Sequence, residues 1–272
     1  MRTIYIMALL SLSFISCNKQ EGDSEKETTQ ERTSDFFWKA DSLGEVYFEH
    51  STMLLPVKFN AENKDSGNYY LSFYPGHNSN HMYSDFAQRI GKVISNKDST
   101  SYSTFEINDV SGYVGDIRFN TVTFPVSERP SGVSDSIVGE VSLDFFTGNH
   151  VLINFRDQAI QLYDDLSAWS GYDFQPYEIY LNHKIILTVS INKAKYPFLF
   201  NPHSALFVMF NPENPPGPVS IGDNTWNTPD TRQVNDANPY FEGILGYAFL
   251  KDKIVIIAPD KQQICISDKM FE

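Results

Sequence analysis

Two short loops hold most of the residues that could do chemistry. Phe73 to Tyr83 reads F-Y-P-G-H-N-S-N-H-M-Y, and Phe200 to Phe210 reads F-N-P-H-S-A-L-F-V-M-F. His77, His81 and His203 lie within them. Three histidines can hold zinc, and a single one can serve as a general base. Ser204 follows His203 directly, which raises a serine-hydrolase reading. Spacing argues against both ideas. H-x-x-x-H shares one ligand face on a helix, whereas this segment reads as loop and strand. His81 aligns with Val208 and is expected to point into the protein. Adjacent Ser and His rarely bring Oγ onto the neighbouring ring, no G-x-S-x-G surrounds them, and no acid is nominated. No P-loop, dinucleotide fingerprint or C-x-x-C pair is present. The reading is therefore no metal and no cofactor.

The elements around these loops repeat. Without a gap, Phe73 meets Phe200, Pro75 meets Pro202 and Met82 meets Met209. A second pair of blocks follows, with Phe145 to Leu162 lying on Phe249 to Ile266. Ile137-Val138-Gly139 precedes the first block and Ile244-Leu245-Gly246 precedes the second. A duplication with one such loop in each half suggests two lobes with a site between them.

These residues resemble the pepsin-like aspartic proteases, in the short bacterial two-lobed form that is also similar to retropepsins. In that family each lobe carries a hydrophobic-Phe-Asp-Thr-Gly-Ser/Ala strand, then a hydrophobic-hydrophobic-Gly element, then a closing strand. Tyr196 to Met209 is similar to the second-lobe motif and Gly243 to Ile257 to its closing block. Ser136 to Glu140 and Asp144 to Phe155 take the same parts in the first lobe. The resemblance spans residues 45 to 267. It implies a mainly β protein of two similar β-barrel lobes, with a cleft between them.

The departures decide what such a cleft could do. The family's two aspartates share one proton, because two like charges so close cannot both ionise. Here the aspartate positions are Tyr74 and Asn201, and the neighbouring threonines are Pro75 and Pro202. Tyrosine titrates near pH 10 and the asparagine amide does not titrate in the useful range. Proline has neither a side-chain donor nor an N–H, so the family's brace between the lobes cannot form in its usual way. The glycine remains as Gly76 in one loop and is His203 in the other, followed by Ser204. Tyr74, Pro75, Gly76, His77, Asn201, Pro202, His203 and Ser204 thus form a pseudo-active site with no catalytic residue assigned. Three readings stay open. The groove binds a peptide or protein without cutting it; or new groups, such as His77 or His203, support hydrolysis; or the groove is vestigial and filled.

Composition narrows the partners. The chain carries 21 basic and 34 acidic residues, a net charge of −13, and no basic stripe. Such a surface repels phosphate backbones, so nucleic acid is excluded as a partner. The 21 Phe and 15 Tyr suit strands. At the N-terminus, Arg2 precedes an apolar run, Ile4 to Ile15, that ends at Ser16-Cys17. The run is too short to span a bilayer and fits a signal h-region. F-I-S-C is similar to a loose lipobox. Residues 1–17 then read as a lipoprotein signal peptide, with Cys17 acylated and anchoring the protein to a membrane. Residues 18–36 are polar and read as a disordered tether. Asn18 after the cysteine points to the outer membrane of a bacterial cell envelope, with the periplasmic and outer faces both open. The lobes are placed at residues 37–166 and 167–272. Cys265 alternates with Ile264 and Ile266, as a buried, inert thiol would.

Along the chain, Tyr83 to Lys92 predicts a short helix ended at Gly91. Phe105 to Pro125 alternates as strands do. Trp169, Tyr172 and Phe174 are expected to pack between the lobes. The long polar segment 211–239 belongs, by the resemblance, to the cleft wall, with Trp226 packing there or touching a ligand.

Overall fold

The computed structural model describes residues 32–35, 37–40, 51–60, 67–76, 80–91, 95–99, 102–181, 183–210, 217–227, 229–235 and 238–269. The signal segment, Cys17 and most of the tether lie outside them. The first half carries β1 (Arg32–Asp35), β2 (Phe37–Ala40), β3 (Ser51–Phe59), β4 (Tyr69–Phe73), β5 (His81–Tyr83), α1 (Ser84–Arg89), β6 (Ser95–Ser99), β7 (Tyr102–Val114), β8 (Ile117–Ser127), β9 (Ile137–Val141), β10 (His150–Asn154) and β11 (Ala159–Tyr163). The second half carries β12 (Gln175–Tyr180), β13 (Lys184–Ile191), β14 (Ala194–Phe200), β15 (Phe207–Met209), β16 (Val219–Ile221), β17 (Asn224–Trp226), β18 (Thr231–Gln233), β19 (Gly243–Leu245), α2 (Tyr247–Leu250), β20 (Ile254–Ala258) and β21 (Gln263–Ser267). The molecule is mainly β, as its aromatic-rich sequence predicts.

In the first lobe β3, β4, β9, β5, β8 and β7 pair in that order, and β7 pairs back onto β3 to close a barrel. Period-two alternation fills it. Met53, Leu55 and Val57 point inward with Leu71, Phe73, Met82 and Val141. Leu54 points outward, to a smaller cluster with Tyr83 and Ile137. In the second lobe β13, β14, β19, β15 and β18 pair in series, with no closing pair among the described residues.

The two lobes use the same wiring at their centres. β4 runs parallel to β9, β9 antiparallel to β5, and β5 parallel to β8. β14, β19, β15 and β18 repeat those three relations. Phe73 pairs with Val141 where Phe200 pairs with Leu245, and Met82 with Gly139 where Met209 pairs with Gly243. The loop alignment, at a spacing of 127 residues, is therefore the structural one. The alignment of the glycine triplets is not. Gly139 corresponds to Gly243, and Ser142 to Gly246, at the same 104-residue spacing as the closing blocks. Ile137-Val138-Gly139 thus sits three residues away from the counterpart of Ile244-Leu245-Gly246. Both triplets suit a buried strand, and only hydrogen-bond register separates them.

Between the lobes runs a shared sheet in the order β1-β11-β10-β20-β21-β12. β10 and β20 are antiparallel, with Val151 opposite Ile257, Ile153 opposite Val255 and Leu152 opposite Ile256. Leu152 and Ile256 are themselves counterparts, so an approximate twofold axis passes through their pair. One face of this sheet packs Leu152, Ile254, Ile256 and Cys265 against Trp169 and Tyr172. The other face joins the main core.

Two boundaries differ from those read in the sequence. Arg32–Asp35, assigned to the tether, is strand β1, paired with Ala159 to Leu162 on β11. A polar segment can do this because a strand at a sheet edge is held by main-chain hydrogen bonds. The helix is shorter than Tyr83–Lys92. It spans Ser84–Arg89 and ends as Ile90 N–H reaches Phe86 O and Gly91 takes φ +73°, a conformation that glycine adopts without strain.

Candidate functional site

The two loops meet at the lobe interface. Each leaves its strand in the same way. Tyr74 N–H donates to Val141 O at 2.9 Å, and Asn201 N–H donates to Leu245 O at 3.1 Å. These donors and acceptors are counterparts, so Tyr74 and Asn201 are anchored alike in the two lobes. Pro75 and Pro202 are both buried.

Beyond that point the loops diverge. His203 is 3% exposed, and its Nε2 lies 2.9 Å from Phe73 O in the opposite lobe. A carbonyl can only accept, so Nε2 carries the proton. The Tyr74 ring stacks on this imidazole, with centroids 4.2 Å apart and planes inclined by 25°. His203 thus ties one lobe to the other. Its counterpart, Gly76, has no side chain to send across. A Cβ there would stand 3.4 Å from Phe200 O, so the two backbones approach closely on that side as well.

Asn201 acts as a turn former. Its Oδ1 accepts from His203 N–H at 3.1 Å and its carbonyl from Ser204 N–H at 3.1 Å. Ser204 is fully buried, and its hydroxyl donates to Leu206 O at 3.2 Å. It is not presented as a nucleophile. His203 is buried, with its Nε2 proton engaged by Phe73 O and its ring face covered by Tyr74. His77 lies outside the described residues.

His81 departs from its expected orientation. Met82 enters the core, so His81 faces outward on β5, opposite Glu140 on β9 and 5.5 Å from the Tyr83 ring. Tyr83 O–H donates to Glu140 Oε1 at 3.3 Å, and the Arg129 guanidinium lies 4.8 Å over the Tyr83 ring. Burial, then the charge of Glu140 and the hydrogen bond to it, push the Tyr83 phenol well above its ordinary range. Among the described residues no three His, Cys, Asp or Glu side chains converge on a metal position.

A cavity of about 370 Å³ opens beside the loops on the second-lobe side. Tyr74, Gly76, Asn201 and His203 form one wall, and Lys184, Leu199 and Phe241 belong to the other. Lys184 and Phe241 were not singled out in the sequence. Neither belongs to a motif, and only strand pairing brings β13 and the segment before β19 to the loops. Trp226 resolves as packing. Its indole N–H donates to Asp268 Oδ2 at 2.7 Å and its ring meets Phe249 edge-on at 5.3 Å. Cys265 is buried, and burial, with the Asp173 charge second, pushes its thiol up to about 12.

No protein-family model matches the chain, and no curated protein matches it in sequence. Solved structures do match. The aspartic proteinase from Irpex lacteus superposes with a TM-score of 0.54 at 10% identity, over 89% of this chain and 98% of its own. The basic 7S globulin from soybean gives 0.52 at 10% identity, over 88% and 94%. Conglutin gamma from lupine seeds, a basic 7S globulin, gives 0.52 at 10% identity, over 88% and 95%. Together with the repeated wiring and the shared central sheet, these likenesses establish that the chain has the two-lobed β fold of the pepsin-like aspartic proteinases.

Proposed function

We propose that this protein is a non-catalytic member of that fold, held to the bacterial envelope through acylated Cys17, whose interlobe cavity binds an extended peptide without cleaving it. The observation that carries the reading is the replacement of a proton-sharing pair by a structural bridge. Tyr74 and Asn201 occupy the aspartate positions, and His203 spans the lobes to Phe73 O. Acid–base catalysis on a water needs a group whose pKa lies near the working pH and within reach of that water. In the described part of the site Tyr74 and Asn201 supply no carboxylate pair, and the one imidazole is tied to Phe73 O. The cavity of about 370 Å³ beside it supports binding, being within the roughly 300–1,000 Å³ typical of ligand sites.

A purely structural envelope protein is the second reading, and the Tyr74 ring stacked on His203 favours it, because that ring covers part of the floor. Hydrolysis by other groups is the third, and it would rest on His77 or His203. The processed chain, incubated with denatured protein from pH 3 to 8, is expected to cleave nothing. Pepstatin-sensitive cleavage would overturn the proposal. Palmitate labelling should disappear in Cys17→Ser, and retained label would refute the anchor. Peptide-library binding to the processed chain separates the groove reading from the structural one.

A further inference from the structure

Resting on the groove reading, we infer that the cavity selects a carboxylate on its peptide ligand, with Lys184 as the group that reads it. The argument starts from charge. Among the described residues lining this cavity, Lys184 alone is ionised; the rest are apolar, aromatic, amide, glycine, proline or the buried His203. The Lys184 side chain makes no ion pair, hydrogen bond or ring contact with any described residue, and it is half-buried. A chain of net charge −13 has carboxylates to spare for neutralising a lysine, and none among the described residues pairs with this one. A half-buried lysine with no partner among the described residues is free to pair with an anion that enters the cavity.

The surroundings narrow the anion. Lys184 stands directly opposite Tyr180 across the β12–β13 hairpin, and the Tyr180 ring stacks on Tyr240 with centroids 4.2 Å apart. Leu199, Phe200, Phe241 and Tyr74 add apolar and aromatic surface beside the amides of Asn201 and Asn238. Aromatic surface around one cation suits a singly charged group carried on an apolar or extended segment. It does not suit a phosphate, for which one lysine without backbone or guanidinium donors is a weak clamp, and which the acidic surface repels. The first lobe offers no equivalent. Strand register makes Thr52 the counterpart of Lys184, as Leu54 is of Ile186. The selectivity therefore belongs to one side of the groove and would set the direction in which a peptide lies.

The carboxylate can come from an Asp or Glu side chain or from a free C-terminus, and both sources belong in the test. The processed chain would be equilibrated with a positional-scanning library of N-acetylated, C-amidated octapeptides, and with the same library bearing free C-termini. Enrichment of Asp and Glu at one position in the amidated library identifies a side-chain carboxylate; preference for the free-acid library alone identifies the terminus. Either supports the inference if Lys184→Gln weakens binding of the selected peptide about tenfold, the usual worth of a charge-assisted hydrogen bond, and Lys184→Glu shifts enrichment to Lys and Arg. Thermal melts of both variants matching the parent exclude misfolding as the cause. Binding with no acidic preference, or a preference that survives Lys184→Gln, overturns the inference and leaves the groove reading standing. Binding in neither library removes both.

Discussion

The two lobes share a wiring diagram and differ in what they present outside it. On the outer face of the second lobe, Leu199, Ile244 and Val208 lie side by side across β14, β19 and β15 and belong to an apolar cluster with Phe210 and Phe241. At the same register in the first lobe stand Ser72, Glu140 and His81. Inside, the pairs stay alike: Phe73 and Phe200, Met82 and Met209, Val141 and Leu245 are all buried. The interior of a duplicated fold is held by close packing, where even one methylene is felt. The outer face is constrained by what covers it. In the first lobe Tyr83 donates to Glu140 of the polar row and carries Arg129 over its ring; in the second Phe241 packs on the apolar row. Divergence has run along the face that each lobe could re-cover independently.

The largest test of this comparison is inside. Phe73→Ala and Phe200→Ala should each cost about 3–5 kcal/mol in urea unfolding, since both rings are fully buried. A large cost for one and a small cost for the other would break the equivalence of the lobes. Next comes the corrected glycine register. A Cβ at Gly246 would lie 2.0 Å from Leu206 O, so Gly246→Ser should cost about 3 kcal/mol. Its counterpart already carries a side chain: the Ser142 hydroxyl accepts from Asp144 N–H at 3.3 Å, and Ser142→Gly should cost under about 1 kcal/mol. Equal costs would return Gly246 to a pairing with Gly139.

A smaller effect is expected at the bridge. His203→Ala leaves Phe73 O without its partner across the lobes and should cost about 1–3 kcal/mol. Gly76→Ala, which adds only an ordinary contact with Phe200 O, should fall within about 0.5 kcal/mol of the parent. The last difference appears only in alkali. Cys265 on β21 corresponds to Gln161 on β11, which does not titrate. The thiol, at 9.0 in an open environment, is held up to about 12 in the fold by burial and then by Asp173. The unfolded chain therefore loses this proton first. The contribution is complete below about pH 9 and is lost as pH rises through about 12. Cys265→Ala should flatten the fall in stability over that window, measured by unfolding at successive pH values. An unchanged slope would refute this assignment.

Much of the fold was legible because β-register is unforgiving. A one-residue slip turns every side chain to the wrong face, so the spacings from Phe73 to Met82 and from Phe145 to Leu162 survived in both copies. The three-residue shift between the glycine triplets was not legible. Ile-Val-Gly and Ile-Leu-Gly satisfy the same buried strand, and nothing in their chemistry reveals which carbonyl each faces. At the site, Tyr74 and Asn201 could be read directly, since they are identities. The bridge from His203 could not, because it depends on where a ring in the glycine slot points. Lys184 and Phe241 were hidden for a different reason: Lys184 reaches the loop only through the register of the β13–β14 hairpin, and Phe241 only through the pairing of β19 with the distant β14. β1 was hidden too, since an edge strand held by its backbone needs no apolar signature.

The meeting of Leu152 with Ile256 at the centre of the shared sheet has a consequence for assembly. Val151 faces the counterpart of Ile153, and Ile153 faces the counterpart of Val151, which is the reciprocity of an isologous contact between identical subunits. Here that contact is closed within one chain, and the residue on the axis meets its own duplicate. A single lobe released from its partner would expose β10 as an edge already complementary to a second copy of itself. Covalent linkage fills that edge permanently, and by doing so frees the two halves to become unlike.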